Sequence, residues 1–206
     1  MQINAQVELN ATHDRPLPLR RSAVRLKTMT EAASQRVLLD GPGIHAALDR
    51  LAREIHAALP PSVPVGIIGI RRRGEVLAQR LVHELCREGI EDIEAGSLDI
   101  TLYRDDLAEL GPQAMLRQTE IDFDVNGRYI VLVDDVLYTG RSARAALDAI
   151  VDLGRPKAIR LAVLIDRPGR ELPIQADFVA IKVEEPDVAV TVLLTESDGQ
   201  EEVRVE

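Results

Sequence analysis

The sequence predicts an α/β fold, a mostly parallel central sheet flanked by helices, on three observations. Short apolar runs rich in Val and Ile alternate with longer stretches of helical periodicity, as in β/α units whose strands are covered on both faces. One such run, residues 129–133 (Tyr-Ile-Val-Leu-Val), leads into Asp134, Asp135 and the loop Thr139-Gly140-Arg141-Ser142, which opens the next helical stretch. Another ends on Arg71-Arg72-Arg73-Gly74 and is again followed by a helical stretch. Ligands of open α/β sheets bind beyond the carboxyl ends of the strands, so both polar segments are placed where a ligand would sit.

The elements follow in order. Residues 1–36 carry six basic residues, Arg15, Arg20, Arg21, Arg25, Lys27 and Arg36, against Glu8, Asp14 and Glu31, with prolines at 16 and 18 and little apolar periodicity. A disordered basic extension is predicted there, with residues 37–206 as the folded domain. Its net charge of +3 leaves −12 for the rest of a chain whose total is −9. Residues 43–59 read as an amphipathic helix with Ile44, Leu48, Leu51 and Ile55 on one face, stopped by Pro60 and Pro61. Strands are predicted over 65–70, 93–103, 129–133 and 158–165, with helices over 75–87 and 143–153. Late strands over 178–183 and 188–194 precede an acidic tail that holds Val203 and Val205. The connection from Tyr103 to about Glu120, with Gly111-Pro112 inside it, is long for a compact domain and reads as a lid or disorder.

Composition narrows the function classes. At 206 residues the chain suits one domain with a sizeable core, and its 2% aromatic content leaves few rings for base stacking. The lone cysteine, Cys86, falls in a helical pattern, where buried packing is expected, and no intrachain disulfide is possible. His13, His45, His56 and His83 are scattered outside any motif, which argues against a histidine-held metal. The sequence shows no apolar run of bilayer length and no hydrophobic centre of a signal peptide, so a cytoplasmic, membrane-free protein is expected.

The chemistry concentrates in the loop after residue 133. Gly140 permits an unusual backbone turn, and Ser142 lies where the helix is expected to start, so backbone N–H groups with the Thr139 and Ser142 hydroxyls form an anion cradle. Asp134 and Asp135 would repel a phosphate and suit hydroxyls or a metal ion instead. Together they fit a phosphorylated sugar. The Arg71-Arg72-Arg73-Gly74 turn supplies three guanidinium groups suited to pyrophosphate.

Apolar strand, paired acids and Thr-Gly-x-Ser resemble the phosphoribosyl pyrophosphate (PRPP) signature of type I phosphoribosyltransferases. VDDVLYTGRS together with DITLYRDDL (residues 99–107) and LAVLIDRPGRELP (residues 161–173) is similar to the PyrR family, pyrimidine operon regulators with uracil phosphoribosyltransferase activity. The resemblance covers roughly residues 37–206. It implies a type I phosphoribosyltransferase-like domain with a mobile loop and a small hood, assembled as a homo-oligomer, a dimer or higher.

The activity so implied converts uracil and PRPP to UMP and pyrophosphate, with Mg²⁺ carried mainly by the donor's pyrophosphate. Asp134, Asp135 and Arg104 take the catalytic roles. Arg71, Arg72, Arg73 and Gly74 take the pyrophosphate, Thr139, Gly140, Arg141 and Ser142 hold the 5′-phosphate, and Val136, Leu137 and Tyr138 before them are substrate-binding as well. Arg167 falls on the base-binding side. Uridine nucleotides, UMP or UTP, would occupy the same pocket in a regulator of pyrimidine gene expression. The alternative is a mainly non-catalytic, RNA-binding attenuator that uses the pocket as a sensor.

The chain departs from the family pattern in three places. Familiar members have Lys-Thr-Arg-Gly where Arg71 and Arg72 replace the first two residues, and Gly-His where this chain has Pro168-Gly169. Asp49 and Arg53 stand where familiar regulators show Thr and His in the first helix, and an acid there opposes RNA phosphate.

Overall fold

Asp40 caps the first long helix, its Oδ1 accepting from the Gly43 N–H at 2.8 Å, and Pro42 follows inside the first turn where its missing N–H costs nothing. In the computed structural model, which describes residues 35–90, 92–105 and 119–206, helix α1 therefore runs Gly41–Ala58, starting two residues before the expected point. It buries the expected Ile44, Leu48, Leu51 and Ile55 and ends before Pro60, where the cap Leu59 is extended.

The five parallel strands are β2 (Val65–Ile70), β3 (Ile93–Leu98), β4 (Tyr129–Leu137), β5 (Ala158–Asp166) and β6 (Phe178–Lys182), in the order β3-β2-β4-β5-β6. Strand period two divides their side chains between two cores. Val65, Ile67, Val131 and Val133 pack with α1 and α2 (Arg73–Arg87), while Ile68, Ile70, Ile130 and Leu132 pack with α3 (Arg141–Leu153). The central strand reads as continuously apolar because both faces are covered.

A second sheet is small and antiparallel. Strand β1 (Arg36–Asp40) pairs with β8 (Glu202–Val205), which pairs with β7 (Val190–Leu193), and a one-turn helix, α4 (Thr195–Asp198), links β7 to β8. This is the hood that the family resemblance implies. Strand β1 went unassigned from the sequence because its partner lies at the other end of the chain.

Four local expectations need correction. Strand β4 does not stop at the acids but continues through them to Leu137, because β5 keeps pairing with it, Asp134 opposite Val163 and Val136 opposite Ile165. The β3 segment ends at Leu98 rather than running to Tyr103. Asp99 Oδ1 accepts from the Thr101 N–H at 2.9 Å and turns the chain into a 3₁₀ turn, Thr101–Tyr103. Helix α3 starts two residues early, with Gly140 rather than Ser142 at its cap. Cys86 is exposed, on the solvent side of α2. No helix among the described residues is long and apolar enough to cross a membrane. Nearly all of the basic extension, and residues 106–118 of the long connection with its Gly111-Pro112, lie outside the described residues.

Candidate active site at the carboxyl edge of the sheet

Parallel strands bring their carboxyl ends to one edge, and the polar segments that follow β2, β3, β4 and β5 gather there. A cleft of ≈ 250 Å³ is lined by Arg71, Arg72, Arg73 and Arg104 together with Asp134, Asp135 and Ser142. A larger cavity, ≈ 680 Å³, lies at the amino end of β2 around Pro60, Pro61 and Pro64, but His56 and Asp92 are the ionisable groups in its lining. The smaller cleft is where the chemistry lies.

Close backbone approach builds it. A Cβ on Gly74 would stand 2.4 Å from the Val133 carbonyl oxygen and 3.2 Å from the Asp134 Cα, so only glycine lets the start of α2 rest on β4 beside the acids. Gly140, at φ 91°, occupies the left-handed region and turns the chain from β4 into α3. The Thr139 hydroxyl accepts from the Arg141 N–H at 3.3 Å, and the Thr139 carbonyl accepts from the N–H groups of Glu171 (3.0 Å) and Leu172 (3.1 Å). The loop is thus held in place while first-turn N–H groups of α3 have no acceptor within the helix.

Asp134 and Asp135 form an adjacent, part-buried pair. Asp134 Oδ1 accepts from the Asp135 N–H at 3.0 Å, and Asp135 Oδ1 from the Val136 N–H at 2.8 Å. Burial pushes the Asp134 carboxyl well above the usual range, and the adjacent Asp135 charge adds to the rise. Burial raises Asp135 as well, but the Arg73 guanidinium opposes that rise. Asp135 is therefore the member that holds its charge more readily.

The arginines differ in what they already hold. Arg73 gives a two-point contact to Asp198, Nε and Nη2 each 3.0 Å from a carboxylate oxygen, and its Nη1 lies 3.8 Å from Asp135 Oδ2. Arg71 reaches Ser97 Oγ at 2.9 Å, Glu75 at 3.4 Å and Glu120 at 2.9 Å. Arg72 is exposed at the cleft, and the peptide between Arg71 and Arg72 is cis. Of the three guanidinium groups expected together, the two flanking ones are braced by carboxylates and the middle one faces solvent.

Several other expected residues sit beside the cleft rather than in its wall. Arg141 pairs with Glu171 at 2.7 Å and with Asp105. The Arg167 guanidinium lies 4.0 Å from the centroid of the exposed Tyr138 ring, and its buried Nε has no hydrogen-bond partner. Arg170 bonds the Tyr138 carbonyl and Asp166 across the same turn. Val136 lines the cleft and Leu137 is buried beneath it. Asp99 and Thr101, which the sequence reading did not single out, join the lining. Their signal was available: they follow β3 at the same sheet edge. Arg144 Nη2 donates to the Tyr103 carbonyl at 3.1 Å and the Tyr103 hydroxyl to Asp152 at 2.9 Å, fixing this turn against α3.

Among the described residues no three His, Cys, Asp or Glu side chains gather to cage a metal. Mg²⁺ requires less, since one or two carboxylates with substrate oxygens and water complete its shell. The Asp134–Asp135 pair at the cleft meets that requirement.

Comparison with known proteins identifies the family and the fold. The phosphoribosyl transferase domain family matches residues 34–198. The chain is 50% identical over 173 residues to the bifunctional protein PyrR of Pelotomaculum thermopropionicum, covering 84% of this chain and 96% of that one. Against the bifunctional protein PyrR of Thermus thermophilus identity is 48% over 169 residues, 82% of this chain and 93% of that one. Among solved structures, a hypoxanthine-guanine phosphoribosyltransferase from Bacillus anthracis superposes with a TM-score of 0.65 at 17% identity, covering 83% and 98% of the two chains. The enzyme from Leishmania tarentolae in complex with GMP gives 0.62 at 18%, covering 82% and 95%. At such identities these structures speak to the fold alone.

Proposed function

The chain belongs to the phosphoribosyltransferase family and, within it, to the PyrR family, and on that premise we propose that it transfers the phosphoribosyl group of PRPP to uracil, giving UMP and pyrophosphate. The observation that carries the reading is the juxtaposition, across one cleft, of an exposed arginine at the end of β2 with a carboxylate pair that runs directly into a glycine-turned helix N-terminus. These are separate seats for pyrophosphate, ribose hydroxyls and 5′-phosphate.

In this reading Thr139, Ser142 and the first-turn amides of α3 bind the 5′-phosphate, with Tyr138, Gly140 and Arg141 shaping the loop. Asp134 and Asp135 accept from the ribose hydroxyls and favour positive charge as the sugar acquires oxocarbenium character. Arg72, with Arg104 in the same cleft lining, receives the departing pyrophosphate. Mg²⁺, held by the donor and the two carboxylates, would neutralise pyrophosphate charge and ease its departure. Arg167 offers its unpartnered Nε–H to a base oxygen beside the Tyr138 ring. The C–N bond to uracil forms as the C–O bond to pyrophosphate breaks and the uracil N1 proton is released to solvent, so the protein's contribution is position and charge.

A second role, regulation of pyrimidine gene expression through uridine nucleotides in the same cleft, is favoured by the relatives' description as bifunctional. RNA is the partner this role requires. On α1, Asp49 and Arg53 pair at 2.9 Å, which ties up a cation that RNA phosphate would need. The transferase is therefore the primary reading, acting in the cytoplasm as a homo-oligomer. Calorimetric titration with UMP, IMP and PRPP tests it. UMP and PRPP should compete for one site and lose affinity in Asp135→Asn, and preference for IMP would reject uracil as the base.

A further inference from the structure

Arg73 is the first residue of α2, a place where the helix dipole disfavours a cation. Its guanidinium is nevertheless fixed, because Asp198, 125 residues along the chain, takes it at two points, 3.0 Å each. Asp198 is itself held rigidly. Its Oδ2 also accepts from the Leu194 N–H at 3.0 Å, so one carboxylate closes its own turn and grips Arg73. Two helical turns along α2, Arg80 makes a parallel pair of contacts, to Glu196 at 3.0 Å and to Glu201, and Glu201 accepts from the Thr195 N–H at 2.9 Å. The short hood helix α4 is thereby riveted to α2 at two places, and the one nearer the cleft continues to Asp135, 3.8 Å from Arg73 Nη1.

Resting on the transferase reading, we propose that Asp198 is a positioning residue for the reaction. Its hold on Arg73 fixes the guanidinium against Asp135, keeping that carboxylate in place for the ribose, and it leaves Arg72 to face the pyrophosphate. The hood then has a catalytic consequence although none of its side chains lines the cleft.

The test combines kinetics on the full chain with a crystal structure of one variant. Asp198→Asn keeps an acceptor for Leu194 but weakens the grip on Arg73. It should lower kcat by about tenfold to a hundredfold, the loss expected from small misplacement, with KM for PRPP within about twofold of wild type. Glu196→Gln loosens the same turn without touching Arg73 and should leave kcat unchanged. In the background of Arg73→Gln, Asp198→Asn should add no further loss, because both act through one contact. Losses that multiply in the double variant, or an equal fall in Glu196→Gln, would overturn the proposal and leave Asp198 as a fold-stabilising residue. The crystal structure of Asp198→Asn should show Arg73 displaced from Asp135, and an unmoved pair would also overturn it. If wild type turned over no base, the transferase reading would fall, while the crystal structure would still decide whether Asp198 places Arg73.

Discussion

Gly74 and Val133 approach so closely that a methyl group on Gly74 would lie 2.4 Å from the Val133 carbonyl oxygen. The obstructing atom is backbone and cannot swing aside, so helix and strand must part. Gly74→Ala should therefore destabilise by about 2–3 kcal/mol and raise KM for PRPP, since the arginine turn moves with the start of α2. Thermal unfolding and donor-dependent kinetics on one preparation measure both.

Asp134 carries a cost of placement. A carboxyl raised in the folded state contributes fully below its unfolded value near 3.8, and that contribution is lost as pH rises through the folded value. Asp134→Asn removes the loss. It should raise Tm at pH 7 by roughly 2–4 °C, change it little at pH 3, and cut kcat by about a hundredfold. Calorimetry at the two pH values separates this from a general packing effect.

The opposite sign applies at Glu201. Hydrogen bonding to Arg80 holds its carboxyl down at about 2. A lowered carboxyl stabilises the fold above its unfolded value and loses that contribution as pH falls through the folded one, here from about 4.5 to about 2. Glu201→Gln should cost about 1–2 kcal/mol at pH 7 and flatten the acid side of the stability profile, as followed by urea unfolding.

Arg72 should behave as a donor-binding residue. Removing a charge-assisted contact of about 1.5–3 kcal/mol gives a rise of roughly tenfold to a hundredfold in KM for PRPP. Arg72→Ala leaves the Arg73 and Arg71 braces intact, so its unfolding midpoint should match wild type.

The sequence made the strand, acids, loop and helix after Tyr129 legible because each is a local signal: a β-branched run, a charge pair, a glycine and helical periodicity. Arg71, Arg72 and Arg73 were equally visible as a cluster. Their division of labour was not, because it depends on Asp198 and Glu120, which only the fold brings near. The path of β4 through its acids, like the pairing of Arg36–Asp40 with Glu202–Val205, depends on a neighbouring strand that local composition cannot show. Cys86 failed for a simpler reason: periodicity located its helix but not the face it occupies.

Product formation from PRPP and Mg²⁺ with uracil, hypoxanthine and orotate in parallel, for wild type and Asp135→Asn, tests the central claim most directly. UMP formation from uracil alone, lost in the variant, is the expected result. Turnover of hypoxanthine or orotate in preference to uracil, or no turnover of any base by wild type, would contradict it.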